Sequence, residues 1–183
     1  MALSPTLLTP AVFLDRDGTL MHDAGYLADP AGVEIYPGVV EVLQQLKAAG
    51  FRLVVVTNQS GIGRGIFTLA DYYAVAARVD ELLGRGLIDA TYFCPDHADM
   101  PSARRKPNPR MLLEAAAAHG LDLGRSWMIG DREGDVAAGV AAGARSILVR
   151  TGVGWDAKAD GAVFVAKDLA EAAAFIIRQT DAC

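Results

Sequence analysis

Short, almost wholly apolar runs alternate with longer stretches of helical period along this chain, and that alternation confines it to few folds. Val12–Leu14, Arg52–Thr57, Thr91–Cys94, Ser126–Gly130, Ser146–Val149 and Ala162–Val165 are rich in Val, Ile, Leu and Phe. Most are too uniformly apolar to keep a wet face, which is the pattern of strands covered on both sides. Helices are predicted over Val39–Ala49, Leu69–Leu83, Asn108–His119, Glu133–Ala142 and Asp168–Gln179. Pro37 and Pro107 stand just before two of them, Thr68 is placed to cap another, and Gly50, Gly120 and Gly143 close three. An α/β fold follows, a parallel sheet with helices on both faces and right-handed crossovers.

In such sheets ligands bind beyond the carboxyl ends of the strands, near a topological switch point. The residues after Leu14, Val56, Cys94 and Ile129 are therefore expected to converge. They are Asp15 and Asp17, the stretch from Thr57 to Gly65, the loop from Pro95 to Pro107, and Asp131 to Asp135.

Composition excludes several other roles. A chain of 183 residues with 52% hydrophobic and 21% charged side chains suits one domain over 1–183. A net charge of -5 without a dense Lys/Arg block disfavours nucleic acid and anionic membranes as partners. Cys94 and Cys183 lack the spacing of a disulfide framework or a four-ligand zinc site. The stretch from Met1 to Pro10 lacks the basic start and apolar core of a signal peptide, and no apolar run reaches the length of a membrane span. A soluble, cytoplasmic monomer is expected.

The first strand runs into Asp15-Arg16-Asp17-Gly18-Thr19. Close carboxylates repel, and they persist where a cation neutralises them or one keeps a proton. By itself this is also an ordinary polar turn. The second strand ends in Thr57-Asn58-Gln59-Ser60-Gly61-Ile62-Gly63-Arg64-Gly65, where hydroxyl, amides and glycines could meet a phosphate or simply form a flexible loop. Arg105-Lys106-Pro107 offers cations for an anion, or a solvated basic turn. Gly130-Asp131-Arg132-Glu133-Gly134-Asp135 brings another acid to a strand end and a second one turn later, equally readable as a helix cap with an exposed acid.

Together and in this order, the four segments resemble the four motifs of the haloacid dehalogenase-like phosphatases. The resemblance covers the chain from Val12 to about Thr151 and implies a Rossmann-like fold. It implies Asp15 as the nucleophile that forms an aspartyl-phosphate and Asp17 as the acid/base. It further implies Thr57 and Lys106 holding the transferring phosphoryl, and Mg²⁺ on Asp15, the main-chain carbonyl of Asp17 and Asp131, with Asp135 behind them. The chain has no insertion long enough for a separate cap domain, so an open site for small metabolites is expected.

Further segments, Asp23-Ala24-Gly25-Tyr26 and Val149-Arg150-Thr151-Gly152 among them, resemble the group of D-glycero-D-manno-heptose 1,7-bisphosphate 7-phosphatases and histidinol-phosphate phosphatases. That likeness implies substrate contacts at Asp23, Tyr26, Asn58, Gln59, Ser60, Arg105 and Arg132, a small phosphorylated sugar as partner, and a place in lipopolysaccharide precursor synthesis. Histidinol phosphate is the alternative substrate, and a non-catalytic phosphoacceptor module is the alternative of another class. Many members of the group carry a structural zinc held by Cys-x-His and Cys-x-Cys. Here Cys94 remains, Asp96 stands at the His place and Ser102-Ala103-Arg104 replaces the second pair. No structural zinc is expected.

Overall fold

Val12 and Leu14 enter one hydrophobic core and their neighbours Ala11 and Phe13 enter another, so the first strand is dry on both faces. Leu53 and Val55 in the next strand join the first core, Val54 and Val56 the second. The computed structural model describes residues 8–152 and 155–181; Cys183 and the residues before Leu8 lie outside them.

The strands are β1 (Ala11–Leu14), β2 (Arg52–Asn58), β3 (Ala90–Cys94), β4 (Trp127–Gly130), β5 (Arg145–Val149) and β6 (Phe164–Ala166). They form one sheet in the order β3-β2-β1-β4-β5-β6, with every neighbouring pair parallel. The helices are α1 (Val39–Ala48), α2 (Ser60–Gly63), α3 (Leu69–Leu83), α4 (Arg110–His119), α5 (Glu133–Ala142) and α6 (Leu169–Asp181). Apolar positions of α1, α3 and α6 fill the core that contains Val12, while α4 and α5 fill the one that contains Phe13. The expected two-sided α/β fold is what the chain adopts, with the Rossmann-like strand order.

Local chemistry explains several helix ends. Thr68 caps α3 by accepting from Asp71 N, and the Asp71 carboxylate reaches back to Thr68 N at 2.8 Å, a reciprocal capping box. Gly120 and Gly143 end α4 and α5 in the left-handed conformation. Most boundaries differ from expectation by one or two residues, and three of the differences are instructive. Helix α4 begins at Arg110, because the ring of Pro109 disfavours the helical conformation at Asn108 before it, and Pro109 itself stands at the N-cap. Asp168 stands before α6 and accepts from Glu171 N at 2.9 Å, acting as its cap. The last strand is Phe164–Ala166, with Val163 N already bonded to Ser146 O.

Chain order reverses between β1 and β4, so helices leave to opposite faces there and a crevice opens above the two strand ends. Leu14 pairs with Ile129 and Asp15 N donates to Ile129 O at 2.9 Å, which sets the two acid-bearing turns side by side.

Candidate active site

Asp15 is the first residue past β1 and Asp131 the first past β4, and both are buried. The turn after Asp15 brings Gly18 over Asp131: a Cβ on Gly18 would lie 2.5 Å from Asp131 Oδ2, and so would one on Gly152. Both glycines have positive φ, +85° and +65°. Asp131 is thus enclosed by backbone that only glycine allows so near.

Asp135 sits in the first turn of α5, where its Oδ2 accepts from Arg132 N at 3.0 Å. Its Oδ1 lies 2.6 Å from the Lys106 ammonium. Lys106 also donates to Asp15 Oδ1 and to Val56 O, each at 2.6 Å, and its side chain is 2% exposed. One ammonium therefore ties together the ends of β1, β2 and α5. Its backbone is fixed separately by Asn58, whose amide donates to Lys106 O and accepts from Lys106 N, both at 3.1 Å.

Asp15, Asp131 and Asp135 each offer an oxygen within 4.8 Å of the others. With all three carboxylates ionised, one ammonium leaves an excess of two negative charges, which a divalent cation would balance as it displaces the Asp15 proton. Burial is the main reason the Asp15 carboxyl is pushed up to about 8; Asp135 and Asp17 add to it and Lys106 opposes it. Burial works against the Lys106 charge, but Asp135 and Asp15 outweigh it and raise its pKa. The arrangement of an all-oxygen acidic cluster behind glycine turns fits a hard cation such as Mg²⁺.

The Asp17 side chain lies on the other side of the turn. Arg16 grips both its oxygens, with Nε at 3.2 and 3.1 Å and Nη2 at 3.0 Å. Gln59 Nε2 donates to Asp17 Oδ2 at 2.8 Å and to Thr57 Oγ1 at 2.8 Å, and Thr57 Oγ1 lies 3.4 Å from the same carboxylate. Arg16 is itself buried, with its guanidinium 5.9 Å from the Tyr72 ring centroid. The motif pattern assigns Arg16 no role. Its position between two site carboxylates was the one available signal.

Above these groups is a cavity of about 420 Å³. Asp15, Asp17, Thr57, Lys106 and Asp135 line it, together with Asp23, Tyr26, Asn58, Gln59, Ser60, Arg105 and Arg132. Asp131 is fully buried beneath. Of the residues expected to act on substrate or metal, all but Asp131 line this one cavity. At the mouth Arg132 Nη2 pairs with Asp23 Oδ2 at 2.8 Å, and Asp23 Oδ1 accepts from Gly25 N. Ser60 to Gly63 form the short helix α2 where a loop was expected, because Gly63 N bonds Pro95 O at 2.9 Å and docks the segment on the β3–α4 loop.

A family model described as haloacid dehalogenase-like hydrolase matches residues 12–69, and one described as HAD-hydrolase-like matches residues 103–172. The chain is 42% identical to a D-glycero-beta-D-manno-heptose-1,7-bisphosphate 7-phosphatase of Yersinia pestis, over 80% of this chain and 84% of that one. It is 43% identical to the Escherichia coli K12 protein of that name, over 78% and 80%. A crystal structure of D,D-heptose 1,7-bisphosphate phosphatase from B. bronchiseptica, complexed with magnesium and phosphate, superposes with a TM-score of 0.85 at 31% identity, covering 93% of this chain and 99% of that one. Matching models at both ends of the chain, and relatives of this identity over most of it, leave one conclusion about descent: the chain belongs to the haloacid dehalogenase-like hydrolases.

Proposed function

We propose that this protein is a magnesium-dependent phosphatase that removes the 7-phosphate of D-glycero-β-D-manno-heptose 1,7-bisphosphate. The observation that carries the reading is Lys106 wedged at 2.6 Å from both Asp15 and Asp135 in a cavity that Arg105 and Arg132 also line. The names of the relatives support the sugar.

Lys106 engages Asp15 through Oδ1, which orients the carboxylate and leaves Oδ2 outside that contact for attack on phosphorus. The phosphorus–oxygen bond to the sugar breaks as the bond to Asp15 forms, giving an aspartyl-phosphate. Asp17, in its protonated state, hands a proton to the departing sugar oxygen. Water then attacks the aspartyl-phosphate and gives its proton to Asp17, which releases phosphate and restores Asp15. Asp17 accepts hydrogen bonds from Arg16 and Gln59, which hold its carboxyl group in place for both transfers. Thr57 stands beside Asp17 at the end of β2, placed to donate to a phosphoryl oxygen.

Asp15, Asp131 and the main-chain carbonyl of Asp17 would hold Mg²⁺, with Asp135 keeping Lys106 in place behind them. When bound, the cation neutralises phosphoryl oxygens and the charge that builds on them. Asp17 also separates this reading from a phosphoacceptor switch, which needs no proton donor beside its acceptor.

Arg105 gives the substrate prediction. Its Nη1 is buried without a hydrogen-bond partner among the described residues, although the residue lines the cavity. A second phosphate in the cavity would give the guanidinium an anion to pair with. The expected kcat/KM for the heptose bisphosphate exceeds that for histidinol phosphate, and Arg105→Ala is expected to remove about 10- to 100-fold of that preference. An equal or better rate with histidinol phosphate overturns the substrate assignment.

The Asp15 shift predicts how metal and pH act together. Because its native value is raised from 3.8 to about 8, the metal-free native state holds a proton that the unfolded chain releases. That contribution is complete below the unfolded value and is lost as pH rises through the native one. Metal binding must displace the same proton. Thermal midpoints in chelator are expected to fall from about pH 5 to about pH 8, and the rise on adding Mg²⁺ to be larger at the upper end. A magnesium shift independent of pH rules this out.

A further inference from the structure

The β3–α4 loop carries Arg105 to the cavity, and a knot of three side chains closes its base. Ser102 Oγ donates to Asp96 Oδ2 at 2.5 Å and accepts from the backbone N–H groups of Arg104 at 3.1 Å and Arg105 at 2.9 Å. The Cys94 thiol at the end of β3 donates to the same Asp96 oxygen at 3.4 Å and lies 3.6 Å from Ser102 Oγ. Asn108, past the turn, donates to Ser102 O at 2.7 Å. One hydroxyl thus joins the beginning of the loop to its end.

These groups do not fit a zinc ion. Zinc takes thiolates and imidazoles in a closed tetrahedron. Here there is one thiol, which donates to Asp96 Oδ2, and the Ser102 oxygen is occupied by two N–H donors. Hydrogen bonds from Ser102 and Cys94 hold the Asp96 carboxyl below the usual range, so it accepts from both. His97 Nδ1 accepts from Asp99 N at 3.1 Å and lies outside the knot. Among the described residues, the group whose ligand atoms converge for a metal is Asp15, Asp131 and Asp135, which includes none of these side chains.

We propose that Ser102, clasped by Asp96 and Cys94, is a positioning residue that does without metal what a structural ion would do: it fixes the backbone at Arg105 so that the guanidinium meets the phosphate that is not being hydrolysed. The proposal rests on the bisphosphate reading above. Lys106 is insulated from the clasp, since Asn58 fixes its backbone and Asp15, Asp135 and Val56 O fix its ammonium. The start of the loop is insulated too, because Pro95 O is bonded to Gly63 N and Cys94 O to Gln59 N. Loss of the clasp therefore falls on Arg105 and leaves the hydrolytic groups in place.

The test compares steady-state kinetics of the full chain with heptose 1,7-bisphosphate and with p-nitrophenyl phosphate, which has no second phosphate. Ser102→Ala is expected to raise KM for the bisphosphate about tenfold with kcat nearly unchanged, and to leave both constants for p-nitrophenyl phosphate as they were. Ser102→Thr keeps the hydroxyl and is expected to keep the wild-type KM. In an Arg105→Ala background, Ser102→Ala is expected to add nothing, because it acts through the group already removed. Asp96→Asn gives the same direction of change if Ser102→Ala fails to fold.

Equal losses on both substrates, a full further rise in KM in the Arg105→Ala background, or one zinc per chain in metal analysis of the purified protein each overturns the clasp. If Arg105→Ala raises KM and Ser102→Ala does not, the clasp fails and the bisphosphate reading stands. If Arg105→Ala itself leaves KM unchanged, Ser102 has nothing to act through and both fail.

Discussion

Asp15→Asn is expected to lower turnover by about four orders of magnitude or more while the protein stays folded, because the amide has no anionic oxygen with which to attack phosphorus. The size follows from the division of the reaction: without the aspartyl-phosphate neither half of the double displacement has a path, and remaining residues can only bind phosphate. The fold survives because Lys106 keeps Asp135 Oδ1 and Val56 O, each at 2.6 Å. The substitution also removes the buried carboxyl whose pKa is raised to about 8. The variant in chelator is therefore expected to lose the fall in thermal midpoint toward alkaline pH that the wild type shows. Substantial metal-dependent turnover in a well-folded Asp15→Asn protein would take the nucleophile's role away from this residue.

Much of this arrangement can be read from the chain before any coordinates, for identifiable reasons. Strands dry on both faces admit little but parallel pairing, and parallel strands force crossover helices. Those helices put all the strand ends on one side, so Asp15, Thr57 and Asp131 had to meet whatever the helices' exact limits. Motif spacing carries no information about which side chain holds which. Thr57, Asn58 and Gln59 look alike as phosphate donors. In the structure Asn58 fixes the Lys106 backbone and Gln59 bridges Asp17 and Thr57.

Arg16 was equally opaque, because a charged residue between two acids reads as a solvated spacer until burial puts its guanidinium against Asp17 and near the Tyr72 ring. The clasp at Ser102 escaped for a related reason. Cys94, Asp96 and Ser102 fit no metal pattern, and a hydrogen-bonded knot among unlike side chains has no fixed spacing to recognise. Helix α2 is a tertiary product, formed where Gly63 packs on the backbone of Pro95 and Asp96 too closely for any side chain.

Lys106→Met tests the other support of the site and is expected to damage stability and rate together. The ammonium is enclosed by Asp15, Asp135 and Val56 O. Removing it leaves two buried carboxylates facing each other without their shared cation, a change that costs about 3–5 kcal/mol when one partner of a buried pair is deleted. Methionine matches the length and apolar stem of lysine, so packing accounts for little of that cost. Turnover should fall by about 100- to 1000-fold, because a fixed positive charge no longer faces the phosphoryl group as it leaves the sugar. Part of the stability loss, but not of the rate loss, should be recovered by Mg²⁺, since a cation can balance the freed carboxylates but cannot replace an ammonium bonded to Val56 O. Urea unfolding with and without Mg²⁺, beside kcat at saturating substrate, separates the two effects. A variant as stable as wild type in chelator would mean that Asp15 and Asp135 do not depend on Lys106, and the electrostatic account of the site would fail there.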